Sequence, residues 1–574
     1  MQHENTERRY HHLFHVASTY DIILLCTLLC GAASFKAAVY EHDVIFPSQR
    51  SAVLSRQPAL HVIQQNLDVY ETQCRQAESE GVQIIVFPEY GLYGLGWTRQ
   101  TIAPYLEFVP DPQIVSWSPC DDPLRYNDTE TQRQLSCMAK GSALYLVVNF
   151  GSKQPCDFTS PNCPGDGFFQ YSTNLIYDPQ GKFIARYFKR NLYDDEKHFD
   201  TPSKTDYTIF TTKFGRFGTF SSNDIMFKNP ARVLINTMNV TNIVYPTAWK
   251  DELPLQAAIE FQAAFSVGMH VNLLAANLHL PSDGYHGSGI YWPVGTSTNN
   301  MVFYYDRTLG SKGKLLVKDV SPIKYTKTEM HTRERHSSMS EPRETSKMAS
   351  RNHNTSTMRE SQNIYHDRTR VERNRLQPIA QKQSDLRVRR TREQTANQRD
   401  KMEMTGVLFT DDEIMKTGDS EFTAVMNHDL YTFNSVITGQ GASINVCQNN
   451  LCCKGFFEGS FPNQRLAFGA FSGIHTYNGR YPLQSCVFIA CANSSVSSCG
   501  KPTTSASGDM DKMSLSGNFT SGNILPEMLV TPDNVTLYSV PLTWWFMGNG
   551  IIIDAGIPGT PLSLSLYSLG DSTN

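Results

Sequence analysis

The stretch Phe214-Gly-Arg-Phe-Gly-Thr-Phe-Ser-Ser-Asn-Asp-Ile225 joins a short apolar run to a polar turn. Its apolar part, residues 217–220, predicts a strand bounded by turn-forming residues. Ser222 lies two residues after this strand. Side chains at the end of a strand in an α/β sheet lie where clefts form. The stretch therefore predicts an α/β domain in which Ser222 lies beyond the carboxyl end of a strand.

Two other segments place a charged side chain after a predicted strand. Glu89 follows the apolar run 82–87 at a sharp turn. Lys189 ends the second strand of a hairpin, whose turn is predicted at Asp178-Pro-Gln-Gly181. Taken alone, Glu89 is typical of a solvated loop and Lys189 of a basic surface. Their order along the chain with Ser222 favours a shared site.

The region from residue 37 to about residue 320 alternates short β-rich runs with amphipathic helices. Residues 254–269 predict a helix packed on a sheet, because their apolar positions recur at helical spacing. The alternation favours a mixed α/β architecture in which both faces of the sheet are covered. Strands are predicted at residues 82–87, 144–150, 175–177, 183–187, 217–220, 243–245 and 271–275.

Residues 327–401 differ from the rest of the chain in composition. They contain 18 Lys+Arg and 10 Asp+Glu, a net charge of +8; since the whole chain carries −4, the remainder carries −12. With no Cys, Phe or Trp, this tract buries too little apolar area to offset its ordering entropy, so we expect a disordered basic insertion over 321–404. Its interspersed opposite charges favour a solvated linker over a polyanion site, and no nucleic-acid partner is expected. Arg387-Val-Arg-Arg390 resembles a convertase recognition motif and predicts cleavage after Arg390.

The N-terminus indicates export. An apolar run from Ile22 to Ala33 is shorter than the about 20 residues of a membrane span, and small residues follow it. We predict a signal peptide over residues 1–36, cleaved near 33–37; the alternative is an uncleaved signal anchor. The polar C-terminus lacks the apolar tail of a GPI signal, so we expect no stable membrane anchor and a secreted, extracellular product.

Cysteines and glycosylation sequons agree with this expectation. Of 13 cysteines, Cys26 and Cys30 lie in the apolar run, and the other eleven lie mostly in loop-like contexts typical of disulfides. Their odd number leaves one thiol, and Cys74 is the candidate because it continues a helical apolar stripe. That stripe is Leu60, Ile63, Leu67 and Tyr70. Sequons begin at Asn127, Asn239, Asn354, Asn493, Asn518 and Asn534. From residue 405 to 574 the chain is strand-rich, which predicts a mainly β domain without chemistry of its own.

The order of glutamate, lysine and a strand of the form Phe-Gly-x-Phe-Gly-Thr-Phe before residue 222 resembles the nitrilase, or carbon-nitrogen hydrolase, superfamily. The flanking sequence resembles its vanin (pantetheinase) and biotinidase branch, over residues 37–320 and again from about 405 to near the end. The segments that carry this resemblance are Ala38-Val-Tyr-Glu-His42, Leu135-Ser-Cys137, Tyr245-Pro-Thr-Ala-Trp249, Gly287-Ser-Gly-Ile-Tyr291 and Val446-Cys-Gln-Asn-Asn-Leu-Cys-Cys453. The resemblance implies an α/β fold, a nitrilase-like αββα sandwich followed by a smaller, mainly β C-terminal domain.

The resemblance also implies a chemistry. Glu89 would deprotonate a cysteine that attacks an amide carbonyl, Lys189 and backbone N–H groups would stabilise the oxyanion, and Glu196 would orient this set. Water would then hydrolyse the acyl-enzyme. The implied substrate is a linear amide of a small metabolite, of the pantetheine or biocytin (biotin) type. No metal and no organic cofactor is expected.

The chain departs from this branch at the nucleophile. Where the branch has Thr-Cys-Phe-Asp, this sequence has Ser221-Ser-Asn-Asp224, so Ser222 replaces the cysteine and Asn223 an aromatic residue. A thiol of pKa about 8.5 is readily brought to thiolate, whereas a hydroxyl is far less acidic and usually needs a histidine base. This segment contains no histidine. We therefore expect a pseudoenzyme, inactive or weak.

Three other interpretations of Ser222 stay open. A Ser-Lys mechanism, known on other folds, would use Lys189 as the base. A non-catalytic secreted protein would bind a ligand or partner with the retained pocket or with the extra basic tract. A sequencing or gene-model error at Ser222 would make the native protein an ordinary amidase.

Overall fold

The computed structural model describes residues 34–48, 51–157, 159–293, 301–323, 421–436, 439–461, 464–531, 538–539, 544–546, 550–554 and 559–571. All of them belong to one compact unit, residues 1–337 and 415–574. The second unit, residues 338–414, lies outside the described residues. So do residues 1–33 of the predicted signal peptide, nearly all of the predicted insertion and the cleavage motif at Arg390, which stay predictions.

The first part of the described chain alternates strands and helices. Its strands are β1 (Phe35–Glu41), β2 (Ile84–Val86), β3 (Tyr145–Pro155), β4 (Phe168–Tyr177), β5 (Phe183–Phe188), β6 (Ile209–Thr212), β7 (Gly215–Thr219), β8 (Asn242–Pro246), β9 (Asn272–Ala276), β10 (Ser288–Tyr291), β11 (Met301–Tyr304) and β12 (Lys314–Val320). Its helices are α1 (Arg56–Ser79), α2 (Arg99–Ile102), α3 (Glu130–Gly141) and α4 (Ala258–Met269). Shorter helical segments lie at Ala103–Tyr105, Ser222–Met226, Lys228–Thr237 and Pro281–Asp283.

These elements form a four-layer sandwich. One sheet has the strand order β12-β1-β2-β3-β4-β5, and the other has the order β11-β10-β9-β8-β7-β6. Val39, Val86 and Val147 of the first sheet pack against Val244 and Leu274 of the second. Helices α1 and α3 cover the outer face of the first sheet, and α4 covers that of the second. The predicted αββα fold is confirmed.

The helices follow the apolar patterns of the sequence, with one difference at a boundary. Ile63, Leu67 and Cys74 of α1 are buried, as their helical spacing predicts. The helix predicted from residue 254 begins at Ala258 instead. Gln256 has a left-handed backbone with φ 57°, so a regular helix cannot include it.

Strand β1 begins at Phe35, inside the range predicted for the signal peptide. Phe35 is buried and pairs with Val320 of β12. Cleavage before Phe35 would leave this pairing intact, whereas cleavage after residue 36 would remove the first two residues of the strand. The position of cleavage within residues 33–37 stays a prediction.

The C-terminal part of the described chain is built from strands. They are β13 (Phe422–Met426), β14 (Asp429–Val436), β15 (Gly439–Gln448), β16 (Leu451–Ser460), β17 (Leu466–His475), β18 (Tyr481–Ala490), β19 (Asp509–Gly517), β20 (Ile524–Thr531), β21 (Tyr538–Ser539), β22 (Trp544–Phe546), β23 (Gly550–Asp554) and β24 (Thr560–Leu569). They form two sheets, β13-β14-β17-β18-β24-β20-β21 and β15-β16-β19-β23-β22. Phe457, Phe468 and Phe488 pack in the core between them. The predicted mainly β domain is confirmed.

Disulfides are local to each half of the molecule. Cys453 of β16 and Cys486 of β18 join the two C-terminal sheets. Among the described residues the bridges are Cys120–Cys137, Cys156–Cys163, Cys447–Cys452, Cys453–Cys486 and Cys491–Cys499. Cys74 is free and buried, as predicted. In the part of the chain that the structure describes, no helix has the length and apolarity needed to span a bilayer.

Candidate active site

The strand ends of both sheets bring the candidate residues together. Glu89 follows β2, Lys189 follows β5, and Ser222 follows β7. Glu196 lies seven residues beyond Lys189, in the loop before β6. All four residues are at most 3% exposed, so the sequence-predicted set forms one buried cluster.

The Ser222 hydroxyl contacts Glu89 directly. Its Oγ donates a hydrogen bond to Glu89 Oε2. The same Oγ accepts a hydrogen bond from the Ala248 backbone N–H at 2.8 Å and lies 3.1 Å from Thr247 Oγ1. Since Thr247 and Ala248 follow β8, strand ends of both sheets enclose the hydroxyl. A group able to accept the proton of residue 222 is therefore already in contact with it.

The Lys189 ammonium lies between two carboxylates. Its Nζ donates to Glu89 Oε2 at 3.0 Å and to Glu196 Oε1 at 2.8 Å. Glu196 also accepts hydrogen bonds from the Tyr90 hydroxyl and from the Tyr193 backbone N–H, each at 2.7 Å. These donors fix Glu196, which in turn fixes the ammonium beside Glu89.

A chain of uncharged polar side chains orients Glu89. Ser172 Oγ donates to Glu89 Oε1 at 2.7 Å, and Asn149 Nδ2 donates to Ser172 Oγ at 2.9 Å. Asn149 also donates to Asn174 Oδ1 at 3.0 Å, and that oxygen accepts a bond from Ser221 Oγ at 2.9 Å. The network runs from β3 and β4 to the loop after β7, so it couples the orientation of Glu89 to that loop.

The backbone of Ser222 is held in an uncommon conformation. Its φ of 35° lies in the left-handed region, which costs a non-glycine residue about 1–3 kcal/mol. Asp224 stabilises the turn, because its carboxylate accepts hydrogen bonds from the Ser221 N–H at 3.1 Å, the Tyr187 hydroxyl at 2.7 Å and the Asn191 N–H at 2.8 Å. Strain that the surroundings enforce in this way is frequent at functional sites.

Burial and charge pairing act on the ionisation of the site in opposite directions. Burial raises the pKa of Glu89 to about 7, although the Lys189 ammonium favours the ionised form. Burial by itself lowers the pKa of Lys189, but Glu196 and Glu89 outweigh it and hold that pKa above its usual range. Burial also raises the pKa of Asp224 to about 6. Near neutral pH the ammonium is thus charged, and Glu89 is able to exchange a proton.

Comparisons with known proteins bear on both halves of the chain. The family model described as Carbon-nitrogen hydrolase matches residues 53–298, and that described as Vanin C-terminal domain matches residues 420–547. Pantetheinase of Mus musculus is 36% identical over 516 residues, which cover 88% of this chain and 84% of that protein. The chain belongs to the vanin/biotinidase family.

Other members of the vanin/biotinidase family are similar to the same extent. Biotinidase of Mus musculus is 35% identical over 540 residues, which cover 93% of each chain. Among solved structures, an amidase from Nesterenkonia sp. aligns with a TM-score of 0.35 and 19% identity, covering 53% of this chain and 97% of that one. The family predicted from the motifs around Glu89, Lys189 and Ser222 is confirmed.

The cluster contains residues that sequence reasoning missed. Ser172 lies inside β4, where no local signal distinguishes it from a structural serine. Thr247 lies in the segment 245–249, one of those that resemble the vanin/biotinidase family, and this resemblance was a signal that could have found it. Among the described residues no group of three or more His, Cys, Asp or Glu side chains is placed to hold a metal ion.

Proposed function

We propose that this member of the vanin/biotinidase family carries a site for hydrolysis of linear amides of small metabolites, in which Ser222 makes turnover weak or absent. Glu89, Lys189, Glu196 and Ser222 would form the catalytic set. The observation that carries the proposal is the hydrogen bond from Ser222 Oγ to Glu89 Oε2, because a nucleophile must contact its base.

In the proposed reaction, Glu89 takes the proton of residue 222. At the same time the side-chain oxygen of Ser222, or the sulfur of a cysteine at this position, bonds to the amide carbonyl carbon. Lys189 stabilises the resulting oxyanion. Collapse of the tetrahedral intermediate breaks the C–N bond, and Glu89 returns the proton to the departing amine. Glu89 then deprotonates a water molecule, which attacks the acyl-enzyme. The bond to residue 222 breaks, Glu89 returns the proton to the side chain of residue 222, and the carboxylic acid leaves.

The serine limits this reaction at its first step. A base whose pKa is about 7 is reasonably matched to a thiol of pKa about 8.5, but poorly matched to a hydroxyl. Lys189 is a poor base in place of Glu89, because its two carboxylate partners stabilise the protonated ammonium. These contacts support Glu89 rather than Lys189 as the base for Ser222.

The proposed substrates are amides of the pantetheine and the biotin type. Relatives of this chain are named pantetheinase, pantetheine hydrolase and biotinidase. Identity is 36% to one pantetheinase and 35% to one biotinidase, so similarity does not decide between the two types. Both substrate classes therefore belong in the assay.

The test compares the wild-type chain with Ser222→Cys. Both proteins are assayed with a fluorogenic pantetheine-type amide and a fluorogenic biotinyl amide. We expect little or no wild-type turnover and a gain in Ser222→Cys, since loss of a nucleophile from a cooperating set costs several orders of magnitude. Glu89→Gln in the Ser222→Cys protein is the control, because it keeps the side-chain volume and removes the base.

Two outcomes would contradict the proposal. Robust wild-type turnover that Ser222→Ala abolishes would show that the serine is an efficient nucleophile. If neither the wild type nor Ser222→Cys hydrolyses either amide, but one of the amides binds, a non-catalytic binding protein would be favoured.

We also infer that the protein is secreted and glycosylated. Five disulfides are typical of chains that fold in oxidising compartments. The sequon asparagines Asn127, Asn239, Asn493 and Asn518 are exposed, whereas Asn354 and Asn534 lie outside the described residues. Expression in a secretory host followed by glycosidase treatment should give a faster-migrating product. Retention in the cytosol, or unchanged mobility, would contradict this inference.

A further inference from the structure

The C-terminal β domain, for which no chemistry is expected, reaches the candidate active site through one turn. This turn, residues 476–480, follows β17 and precedes β18. Its Asn478 carbonyl accepts a 2.7 Å hydrogen bond from Asn223 Nδ2. Asn223 is next to Ser222 in sequence and only 3% exposed. The contact is therefore a partly buried hydrogen bond between one domain and the residue beside the candidate nucleophile of the other.

The same turn also holds the loop that carries Glu196. Asn478 Oδ1 accepts a hydrogen bond from the Asp194 backbone N–H at 3.1 Å, and the Asn478 N–H donates to Asp194 Oδ2 at 3.2 Å. Asn223 Nδ2 in addition lies 3.4 Å from the Leu192 carbonyl. Two loops of the site, one with Ser222 and one with Glu196, thus meet at a single asparagine of the C-terminal domain.

The turn is built so that it can serve as a fixed support. Asn478 and Gly479 have φ values of 53° and 127°, so neither continues a strand. A Cβ added at Gly479 would collide with the Phe227 ring, which packs edge-on against Tyr481 at 5.3 Å. His475 Nε2 lies 2.7 Å from the Tyr477 carbonyl oxygen. These contacts fix the backbone around the Asn478 carbonyl.

We propose that Asn223 and the turn around Asn478 form an interdomain clamp that positions residue 222 against Glu89. Asn223 is then a positioning residue, acting through the backbone of its neighbour. The amide of Asn223 fits this role because Nδ2 supplies the donor that the Asn478 carbonyl needs, which an aromatic ring at this position would not. The inference rests on the proposed role of residue 222 as the nucleophile position.

The experiment uses the full chain with Ser222→Cys, since a thiol reports its own environment. Iodoacetamide alkylation of this protein is followed by intact mass from acidic to alkaline pH, with and without Asn223→Leu. Leucine has a similar volume but no hydrogen-bond donor. The matched control is Asn236→Leu, because Asn236 Nδ2 also donates across the domains, to Asn523 Oδ1 at 3.2 Å, but away from the site.

We expect Asn223→Leu to move the midpoint of the alkylation profile upwards, so that the rate near pH 7 falls about tenfold, as a one-unit rise of the thiol pKa would produce. For an amide that the Ser222→Cys protein hydrolyses, Asn223→Leu should lower kcat and change KM little. Asn236→Leu should leave the alkylation profile and kcat unchanged, even if it lowers thermal stability as much as Asn223→Leu does. A midpoint and rate unaffected by Asn223→Leu would overturn the clamp, whether or not any variant hydrolyses an amide.

A second variant keeps the proposal testable if Asn223→Leu fails to fold. Asn478→Gly tolerates the left-handed φ and removes only the side-chain link to Asp194. If the thiol resists iodoacetamide in every protein, hydrogen exchange decides instead. Asn478→Gly should then speed exchange of the amides in residues 192–196 and 221–226 relative to Asn236→Leu. Equal exchange in the two variants would overturn the proposal.

Discussion

Two pairs of buried glutamates in this protein differ in whether a cation lies between them. Glu89 and Glu196 share the Lys189 ammonium, at 3.0 and 2.8 Å. Glu260 of α4 and Glu527 of β20 repel each other where the two domains meet. Their carboxylates accept 2.8 Å hydrogen bonds from serine hydroxyls of β24. Both pairs are buried, and the ionised form of Glu89 is favoured by the Lys189 ammonium and by hydrogen bonds from Ser222 and Ser172.

The ammonium changes what a buried carboxyl group is able to do. Burial raises the pKa of Glu527 to about 8, and burial together with repulsion from Glu527 holds the pKa of Glu260 well above its usual range. Glu89 is buried to the same degree, yet its pKa is raised only to about 7, because Lys189 opposes the cost of burial. Lys189, with the hydrogen bonds from Ser222 and Ser172, thus favours the carboxylate form that Glu89 needs to act as a base.

The largest effect should follow removal of this charge. In the Ser222→Cys protein, Lys189→Met should lower kcat/KM at least about 100-fold, because the oxyanion loses its partner and Glu89 becomes harder to ionise. Glu260→Gln, which removes a buried carboxyl group of the other pair, should leave turnover nearly unchanged. The fluorogenic amide assay measures both. Near-parental turnover of Lys189→Met would show that the two pairs do not differ in the way proposed.

The pH dependence of turnover should be the next largest effect. Glu89 must be deprotonated to act as a base, so kcat/KM of Ser222→Cys should rise with pH through about 7. On the acidic side it should fall about tenfold per pH unit. Initial rates at low substrate concentration give this profile. A profile that is flat from about pH 5 to 8 would exclude Glu89 as the titrating base.

The smallest effect concerns stability and the pair without a cation. The pKa of Glu527 is about 8 in the folded protein and 4.5 in an unperturbed glutamate, so the folded state binds this proton more tightly. Its contribution to stability is complete below about pH 4.5 and is lost progressively as the pH rises to about 8.

The free energy of unfolding of the wild type should therefore fall between neutral and alkaline pH. In Glu527→Gln this fall should be smaller by about 1–2 kcal/mol. Urea unfolding followed at several pH values measures this difference. Glu458→Gln, which neutralises a partly exposed glutamate of the same domain, is the control. If wild type and Glu527→Gln lose stability equally with rising pH, the Glu260 and Glu527 pair does not hold a proton as described.

The fold was largely predictable because its strands are short apolar runs that end at turns. The predicted hairpin turn at 178–181 forms, with the Gly181 N–H donating to the Asp178 carbonyl at 2.8 Å. The start of α4 was not predictable from local sequence. Ala258 N–H donates to Asp251 Oδ1 at 2.8 Å, and this contact from a preceding loop sets the first helical turn.

The candidate site was predictable only where a charged or nucleophilic residue follows a strand. Glu89, Lys189 and Ser222 share that property, so their convergence could be expected from parallel strand ends. The contact of Ser172 with Glu89 depends on side-chain direction within β4. The contact of Asn223 with Asn478 spans 255 residues. No local pattern encodes a bond between such distant segments, because only the packed domains bring them together.

The disulfides described here imply a simple behaviour on an electrophoresis gel. Each of the five bridges closes within residues 120–163 or within residues 447–499, and Cys74 is unpaired. Among the described residues no covalent link other than the polypeptide backbone connects the two halves. A single cut after Arg390 would thus yield two bands on a denaturing gel even without reducing agent. Under native conditions the halves would still migrate as one particle, held by the buried apolar core that Phe261 and Phe265 share with Leu525 and Tyr567.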